Sequence, residues 1–270
     1  MSRTENALEK ASRIRRSPQP VPAGRNGEPA ATGAQGARIE HPHLVTSRST
    51  FSPVAEEYKK LKARVMRMTK QEPFRNVLLV TSSVGGEGKS VTAANLALSL
   101  ARDYDHSVVL IDADTRKPSL HTLLNVKPGI GLADCVADDI DIGSALVKVG
   151  NGNLQFVPAG KRHENPVELF SSQRMRTVIL EMKSRYPDRY IIIDTPPVLL
   201  FAETKMISAL ADGIIFVVRE GLAPLQHIIE ALDLLKEEQL LGIVYNDAGP
   251  EGVNGTYPYH SYYRHYHSRT

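Results

Sequence analysis

A glycine-rich stretch of this chain, GGEGKS at 85–90, stands between the apolar run VLLVT and the run VTAANLALSL, which is typical of a helix. Glycines allow a backbone to curl so that successive N–H groups point at phosphate oxygens, and the dipole at the start of a helix adds to that attraction. In such a loop Lys89 would neutralise the β- and γ-phosphates of a nucleotide, and the Ser90 hydroxyl would bind Mg²⁺. The strict pattern has glycine where Ser83 stands, so the match is loose, and an ordinary glycine turn before a helix is the alternative. The residues predicted to hold the phosphates are Val84, Gly85, Gly86, Glu87, Gly88, Lys89, Ser90 and Val91.

Carboxylates follow two other apolar runs. VVLIDADTR contains Asp112, Asp114 and Arg116, and YIIIDTPP contains Asp194. Alternation in an extended chain puts Asp112 and Asp114 on the same side, where two like charges are unfavourable without a cation. Mg²⁺ is the natural cation because it is hard and prefers oxygen ligands. Aspartates that cap strand ends or turns are the alternative, but three such motifs in this order predict a nucleotide site with Ser90, Asp112, Asp114 and Asp194 around the metal.

The elements that must position these motifs alternate along the chain. Near-continuous apolar strands between helices predict an α/β protein whose mainly parallel sheet is covered by helices on both faces. Ligands of such sheets bind at the carboxyl ends of the strands, where all three motifs lie. The predicted strands are 76–81, 107–114, 154–160, 190–197, 213–221 and 240–247, and the predicted helices are 54–68, 89–103, 167–186 and 224–239. The first helix would present Val54, Tyr58, Leu61, Val65 and Met68 on one face.

Composition excludes several classes of function. The chain has 270 residues and is 41% hydrophobic, which suits one globular domain with appendages. Residues 1–50 carry eight Lys and Arg against four Asp and Glu, whereas the remainder is nearly balanced, so its charge gives no sign of nucleic-acid binding. Cys135 is the only cysteine, which excludes a disulfide framework and a cysteine metal site and favours a reducing cytosol. We find no run of about 20 apolar residues and expect membrane contact only through a partner.

The predicted organisation has three parts. Residues 1–50 read as a disordered basic leader, 51–252 as the catalytic domain and 253–270 as a flexible tail. Half of the ten tyrosines lie in that tail, which lacks the apolar residues needed to fold. The tail could be a disordered end with an aromatic bias, a metal site built from its histidines, or a set of phosphorylation substrates. Its tyrosines are Tyr257, Tyr259, Tyr262, Tyr263 and Tyr266.

Together these features resemble the bacterial tyrosine kinases of exopolysaccharide and capsule synthesis, which build a kinase on a P-loop ATPase fold. The resemblance covers roughly residues 51–270 and is carried by GEGKS, VVLIDADTR, IIIDTPP and the terminal tyrosines. A chain without a membrane span looks like the exosortase-associated branch of that family. The resemblance implies ATP and Mg²⁺ as cofactors and autophosphorylation of the tail tyrosines in trans.

The resemblance also implies roles for individual residues. Lys89 and Ser90 would hold the phosphates and Mg²⁺, Asp112 would bind Mg²⁺ and act as the base that activates a tyrosine, and Asp114 and Asp194 would complete the metal shell. Arg116 belongs to the same motif and is expected in the catalytic set. A positioned base is chemically reasonable, because a tyrosine with a pKa near ~10 is neutral at working pH and a poor nucleophile.

The expected partners also follow from the resemblance. They are other copies of the chain in a ring, a membrane chain-length regulator or polysaccharide co-polymerase that acts as adaptor, and a cognate tyrosine phosphatase, with no nucleic acid. The protein would be cytoplasmic and peripheral to the inner membrane. A helix with the pattern Glu-x-x-Arg-x-x-Arg makes the ring contact in the family, and here Glu56, Lys59 and Lys62 stand in its place, which weakens that expectation because lysine lacks the bidentate fork of arginine.

Two other functions remain open at this stage. A partitioning or cell-division ATPase of the same superfamily has a signature lysine where Val84 stands here, and the iron–sulfur reductases need more cysteines than Cys135. A non-catalytic regulator that only binds ATP is the second alternative, against which the intact Lys89, Asp112, Asp114 and Asp194 argue.

Overall fold

A seven-stranded sheet lies at the centre of the part of the chain that the computed structural model describes, which is residues 39–47, 52–70, 72–103, 106–150, 153–185 and 188–249. The strand order is β3-β4-β2-β5-β1-β6-β7. Every neighbouring pair is parallel except β3 with β4, so the prediction of a mainly parallel sheet is confirmed. The strands are β1 Val77–Ser82, β2 Val108–Asp112, β3 Val147–Val149, β4 Leu154–Val157, β5 Tyr190–Asp194, β6 Gly213–Arg219 and β7 Leu240–Asn246.

Helices cover both faces of this sheet. One core cluster joins one face to helices α1 to α3, and a second cluster joins the other face to helices α4 to α8. Strand β1 shows the principle, because Leu78 and Val80 belong to the first cluster and Val77 and Leu79 to the second. The strands are buried on both sides and therefore read as continuous apolar runs in the sequence. The helices are α1 Pro53–Thr69, α2 Lys89–Leu100, α3 Leu120–Leu123, α4 Leu132–Ala137, α5 Pro166–Ser171, α6 Gln173–Arg185, α7 Glu203–Ser208 and α8 Leu225–Leu234.

The predicted apolar face of α1 is only partly correct. Tyr58 and Val65 are buried and Leu61 packs against the core, as expected. Val54 is 54% exposed and Met68 36% exposed, so they lie outside the buried stripe. The helix begins where the sequence indicates, because the Ser52 hydroxyl accepts a hydrogen bond from the Ala55 N–H at 3.1 Å.

The region predicted as one helix over 167–186 is two helices. α5 ends at Ser171 and α6 starts at Gln173, because Ser172 between them has an extended backbone with ψ of 154°. Its hydroxyl accepts a hydrogen bond from the Met175 N–H at 3.2 Å and thereby caps the second helix. Periodicity alone could not place this break, since both helices have a similar apolar pattern.

Part of the predicted leader packs on the domain. Leu44 is fully buried, and the backbone and hydroxyl of Thr46 both donate to the Asn95 side chain on α2, at 3.1 and 3.0 Å. Asn95 in turn donates to the carbonyl of His43 at 2.8 Å. These residues lie within the range 1–50 that the sequence assigns to a disordered leader, and the exact start of the domain stays a prediction. Within the described ranges, no helix has the length and apolar character needed to cross a bilayer.

Candidate active site

The three predicted motifs meet at one edge of the sheet. Strand β5 lies between β2 and β1, and all three strands run in parallel, so their carboxyl ends are adjacent. Asp112 at the end of β2 stands directly beside Asp194 at the end of β5. The loop after β1 leads into α2 at Lys89. Residues that are 82 positions apart in the chain are thus neighbours in one site.

The loop after β1 has the conformation expected of a phosphate loop. Gly86 and Gly88 have φ angles of +87° and +89°, in the left-handed region where other residues are strained. Gly88 is also close to the end of β7, where a Cβ atom would collide with the side chain of Asn246. Asn246 holds the loop from this side, because its amide donates a hydrogen bond to the Glu87 carbonyl at 3.0 Å. Sequence reasoning did not identify Asn246, which has no motif of its own.

Glu87 supports the loop from within. Its side chain is fully buried, and Oε2 accepts hydrogen bonds from the Ser83 hydroxyl at 2.8 Å and the Val84 N–H at 2.9 Å. The carboxylate therefore bridges residues at the start of the loop rather than facing a ligand. The other oxygen, Oε1, has no partner among the described residues, and the binding of phosphate at Glu87 stays a prediction.

Lys89 lies at the start of α2 and faces a carboxylate. Its Nζ is 3.4 Å from Oδ2 of Asp114, and the two side chains are 14% and 7% exposed. This is a long contact for an ion pair. Lys89 is therefore placed to exchange this partner for a phosphate oxygen. Ser90 and Val91 follow in the first turn of α2 and are half-buried.

Backbone N–H groups orient Asp112. Its Oδ1 accepts from the N–H of Asp114, and its Oδ2 accepts from the N–H groups of Ser119 and Leu120, each at 3.1 Å. Burial raises the pKa of Asp112, the neighbouring charge of Asp194 raises it further, and the backbone hydrogen bonds oppose the shift. Since each carboxylate oxygen has more than one lone pair, Asp112 can still accept a proton.

Asp194 is a buried carboxylate without a close hydrogen-bond partner in the described part of the site. It is fully buried, and neither carboxylate oxygen has a hydrogen-bond partner among the described residues. Burial raises its pKa, and the positive charge of Lys89 and the nearby hydroxyl of Ser90, which is not within close hydrogen-bonding geometry, oppose that shift. Buried acceptors without partners are costly, so this position suits a cation or its bound water.

Magnesium fits this set of groups. Across the described ranges, no group of three or more His, Cys, Asp or Glu side chains is arranged to hold a metal alone. Mg²⁺ commonly uses one or two carboxylates and completes its shell with water and substrate phosphates. Asp194 and Asp112 provide such carboxylates, and the hydroxyl of Ser90 lies on the adjacent helix.

Two residues that the sequence did not indicate contact Arg116. Its Nε donates to Oε1 of Glu203 at 2.6 Å, and its guanidinium lies 4.7 Å from the centre of the Phe201 ring. The ion pair with Glu203 raises the already high pKa of Arg116. The terminal tyrosines and histidines lie outside the described residues.

Comparisons with known proteins identify relatives of this chain. A family model described as AAA domain matches residues 75–241. Tyrosine-protein kinase YwqD of Bacillus subtilis (strain 168) is 29% identical over 214 residues, which are 78% of this chain and 88% of the relative. Tyrosine-protein kinase CpsD of Streptococcus agalactiae is 32% identical over 173 residues, which are 63% of this chain and 74% of the relative.

Solved structures share the fold. The kinase domain of the Escherichia coli tyrosine kinase ETK has a TM-score of 0.70 at 24% identity and covers 84% of this chain and 89% of its own. The septum site-determining protein MinD of Pyrococcus horikoshii OT3, complexed with Mg-ADP, has a TM-score of 0.56 at 24% identity and covers 64% of this chain and 71% of its own. The fold is thus that of P-loop NTPases, and the matched AAA domain together with its kinase relatives shows that this chain belongs to the bacterial tyrosine-protein kinases.

Proposed function

We propose that this kinase uses ATP and Mg²⁺ to phosphorylate its own C-terminal tyrosines in trans, and that this reaction regulates exopolysaccharide polymerisation and export. The proposal rests on one observation. Lys89, Asp112 and Asp194 lie together beside a loop in which two glycines have left-handed φ angles. A partitioning ATPase would share this loop, but Val84 stands in place of its signature lysine.

The residues of the site divide the chemistry between them. Lys89 binds the phosphates, and the N–H groups at the start of α2 add the field of the helix N-terminus. Bound ATP would supply the phosphoryl group, and Mg²⁺ held by Ser90, Asp112, Asp114 and Asp194 would neutralise charge on its phosphates. Asp112 accepts the proton of the incoming tyrosine, and the backbone N–H groups of Asp114, Ser119 and Leu120 hold its carboxylate in place for that transfer.

Assembly is part of the same proposal. We expect a ring-like homo-oligomer in which one subunit offers its tail to the next, on the cytoplasmic side of the inner membrane. A membrane chain-length regulator would act as adaptor, and a tyrosine phosphatase would reverse the reaction. Lys62 of α1 is bound to Asp103 of its own subunit at 2.7 Å, and Lys59 to Glu56 at 2.8 Å. A ring contact through this helix would therefore have to compete with these pairs.

A labelling assay tests the function. Purified protein is incubated with labelled ATP and Mg²⁺, and phosphotyrosine and released phosphate are both measured. We expect phosphotyrosine from the wild type and from Lys236→Met, an exposed control lysine, and none from Lys89→Met. Wild-type labelling of Lys89→Met would contradict the site assignment. ATP hydrolysis without phosphotyrosine would support a partitioning-type ATPase, and ATP binding without either reaction would support a non-catalytic regulator.

A further inference from the structure

The aspartates of the site lie on two chain segments, and a side-chain contact joins these segments beyond the strand ends. The segment after β2 contains Asp114 and Arg116, and the segment after β5 leads from Asp194 through Phe201 to Glu203 at the start of α7. The bond from Arg116 to Glu203 and the stacking on Phe201 connect the two segments 87 residues apart.

The contact is anchored in the core. The side chain of Glu203 is 1% exposed, whereas that of Arg116 is 36% exposed. The carboxylate is therefore buried in the domain, and the arginine extends from the surface to contact it. The second oxygen of Glu203 has no partner among the described residues. A buried carboxylate with so few partners depends strongly on its one cation, because an unpaired charge in the interior is costly. The pair therefore resists separation.

The position of Arg116 is coupled to that of Asp114. Oδ1 of Asp114 accepts a hydrogen bond from the Lys117 N–H at 2.9 Å, which closes a turn that contains Arg116. Oδ2 of the same carboxylate faces Nζ of Lys89 at 3.4 Å. Holding Arg116 in place thus holds the turn, and the turn orients Asp114 towards the phosphate loop.

We propose that Glu203 and Phe201 are positioning residues that, through Arg116, set the location of Asp114 relative to Lys89. The inference rests on the proposed function of this site and adds to it two residues outside all three motifs. Arg116 then acts as a connection between the two segments rather than as a group that touches the phosphates.

The metal requirement of nucleotide binding tests this inference. Fluorescent ADP is titrated into full-length protein at a series of Mg²⁺ concentrations and again with EDTA. We expect Glu203→Ala to raise the half-saturating Mg²⁺ concentration about ten-fold, as is common when a partner that orients a metal ligand is removed. Metal-free ADP should bind as in the wild type, because Lys89 and the loop are unchanged. Phe201→Leu should shift the requirement in the same direction by a smaller factor.

Controls separate positioning from general damage. Glu238→Gln removes a 2.9 Å ion pair with Lys205 on the same helix, α7, and should leave the Mg²⁺ requirement unchanged. The double variant of Arg116→Ala and Glu203→Ala should have the same Mg²⁺ requirement as Arg116→Ala alone, because both substitutions remove the same contact. If Glu203→Ala is poorly folded, Glu203→Gln and Phe201→Leu are compared instead.

Three results would overturn the inference. The first is a wild-type Mg²⁺ requirement in folded Glu203 and Phe201 variants. The second is that these variants lose affinity for metal-free ADP as much as for Mg·ADP. The last is a weaker binding of nucleotide by Arg116→Ala that the Glu203 variants do not share. The last result would mean that Arg116 contacts the phosphates directly. Absence of phosphotyrosine from the wild type would contradict the proposed function instead, and the comparison of Mg²⁺ requirements would still decide the positioning role.

Discussion

The hydroxyl of Ser83 donates a hydrogen bond to the buried carboxylate of Glu87 across the phosphate loop, at 2.8 Å. A strict P-loop has glycine at the position of Ser83, and glycine cannot make this bond. The same oxygen of Glu87 accepts the Val84 N–H, so the start and the end of the loop are tied together. The departure from the strict pattern is therefore matched by a contact that holds the loop in shape.

Replacing Ser83 by glycine would restore the strict pattern but should weaken nucleotide binding. The variant loses one hydrogen bond to a charged group and adds backbone freedom to the unliganded loop, which together are worth about 1 to 2 kcal/mol. We expect affinity for Mg·ADP to fall roughly five- to thirty-fold in a fluorescence titration. Ser144→Gly, at an exposed serine of a 3₁₀ turn, is the control. Equal or tighter binding by Ser83→Gly would show that the bond does not contribute.

The buried carboxylates should make the metal-free protein less stable as pH rises. Burial raises the pKa of Asp194 above the value of about 3.9 expected in the unfolded chain. Above that pH the unfolded state binds fewer protons than the folded state, so the free energy of unfolding falls until the folded carboxyl has ionised. Asp194→Asn should therefore stabilise the protein in EDTA at pH 8 and much less at pH 5, as measured by urea unfolding. Asp233→Asn, at an exposed aspartate, should show no such difference, and an equal effect of Asp194→Asn at both pH values would contradict this account.

Asp112→Asn should affect the stability of the protein as well as its activity, although the two side chains have nearly the same size. Both oxygens of Asp112 accept backbone N–H groups, and asparagine offers only one acceptor, so its amide would face a donor. We expect loss of phosphotyrosine and, at pH 4, below the raised pKa values of Asp112 and Asp194, a loss of about 1 to 3 kcal/mol in the free energy of unfolding. Lys89→Met should also lose phosphotyrosine, and it should lower the stability at pH 8, because it removes the cation that faces the buried carboxylates of Asp114 and Asp194. Both quantities are measured on the same preparations, and unchanged stability of Asp112→Asn would mean that the backbone contacts are dispensable.

Apolar runs and glycines were sufficient to predict the sheet. A sheet covered on both faces buries every residue of its central strands, which is why runs such as VLLVT and YIII are apolar throughout. The carboxylates at the ends of β2 and β5 meet because those strands are parallel neighbours. The short strand β3 was missed, since three residues on the sheet edge have no periodicity to detect.

Side-chain contacts between distant segments were not predictable in the same way. Glu203 reads in the sequence as an ordinary glutamate at the start of a helix, and only the fold shows that it is buried against Arg116. Asn246 and Thr46 are similar cases, because each is a single polar residue whose partner lies elsewhere in the chain.

The contact of Thr46 with α2 gives a stability prediction. Thr46→Ala removes a buried hydroxyl that donates to Asn95 at 3.0 Å and should lower the free energy of unfolding by about 1 to 2 kcal/mol. Thr177→Ala, at an exposed threonine of α6 that bonds within its own helix, is the matched control and should change it by less. Equal effects in urea unfolding would indicate that residues 39–47 do not contribute to the stability of the domain.

Removal of the tyrosine cluster should separate nucleotide binding from labelling. The described chain continues beyond β7 to Gly249, and Asn246 at the end of β7 donates a hydrogen bond to the glycine loop. A chain that ends at Asn254 retains every group of the site and should bind Mg·ADP as the full chain does, but it should not label itself. Mixed with full-length Lys89→Met, it should transfer label to that protein, because the proposed reaction takes place in trans between an intact site on one subunit and the tail of another. Strong self-labelling of the shortened chain would place the acceptor elsewhere, with Tyr58 and Tyr104 as the next candidates. Absence of label from the mixture, with the wild type active alone, would mean that each subunit phosphorylates only its own tail.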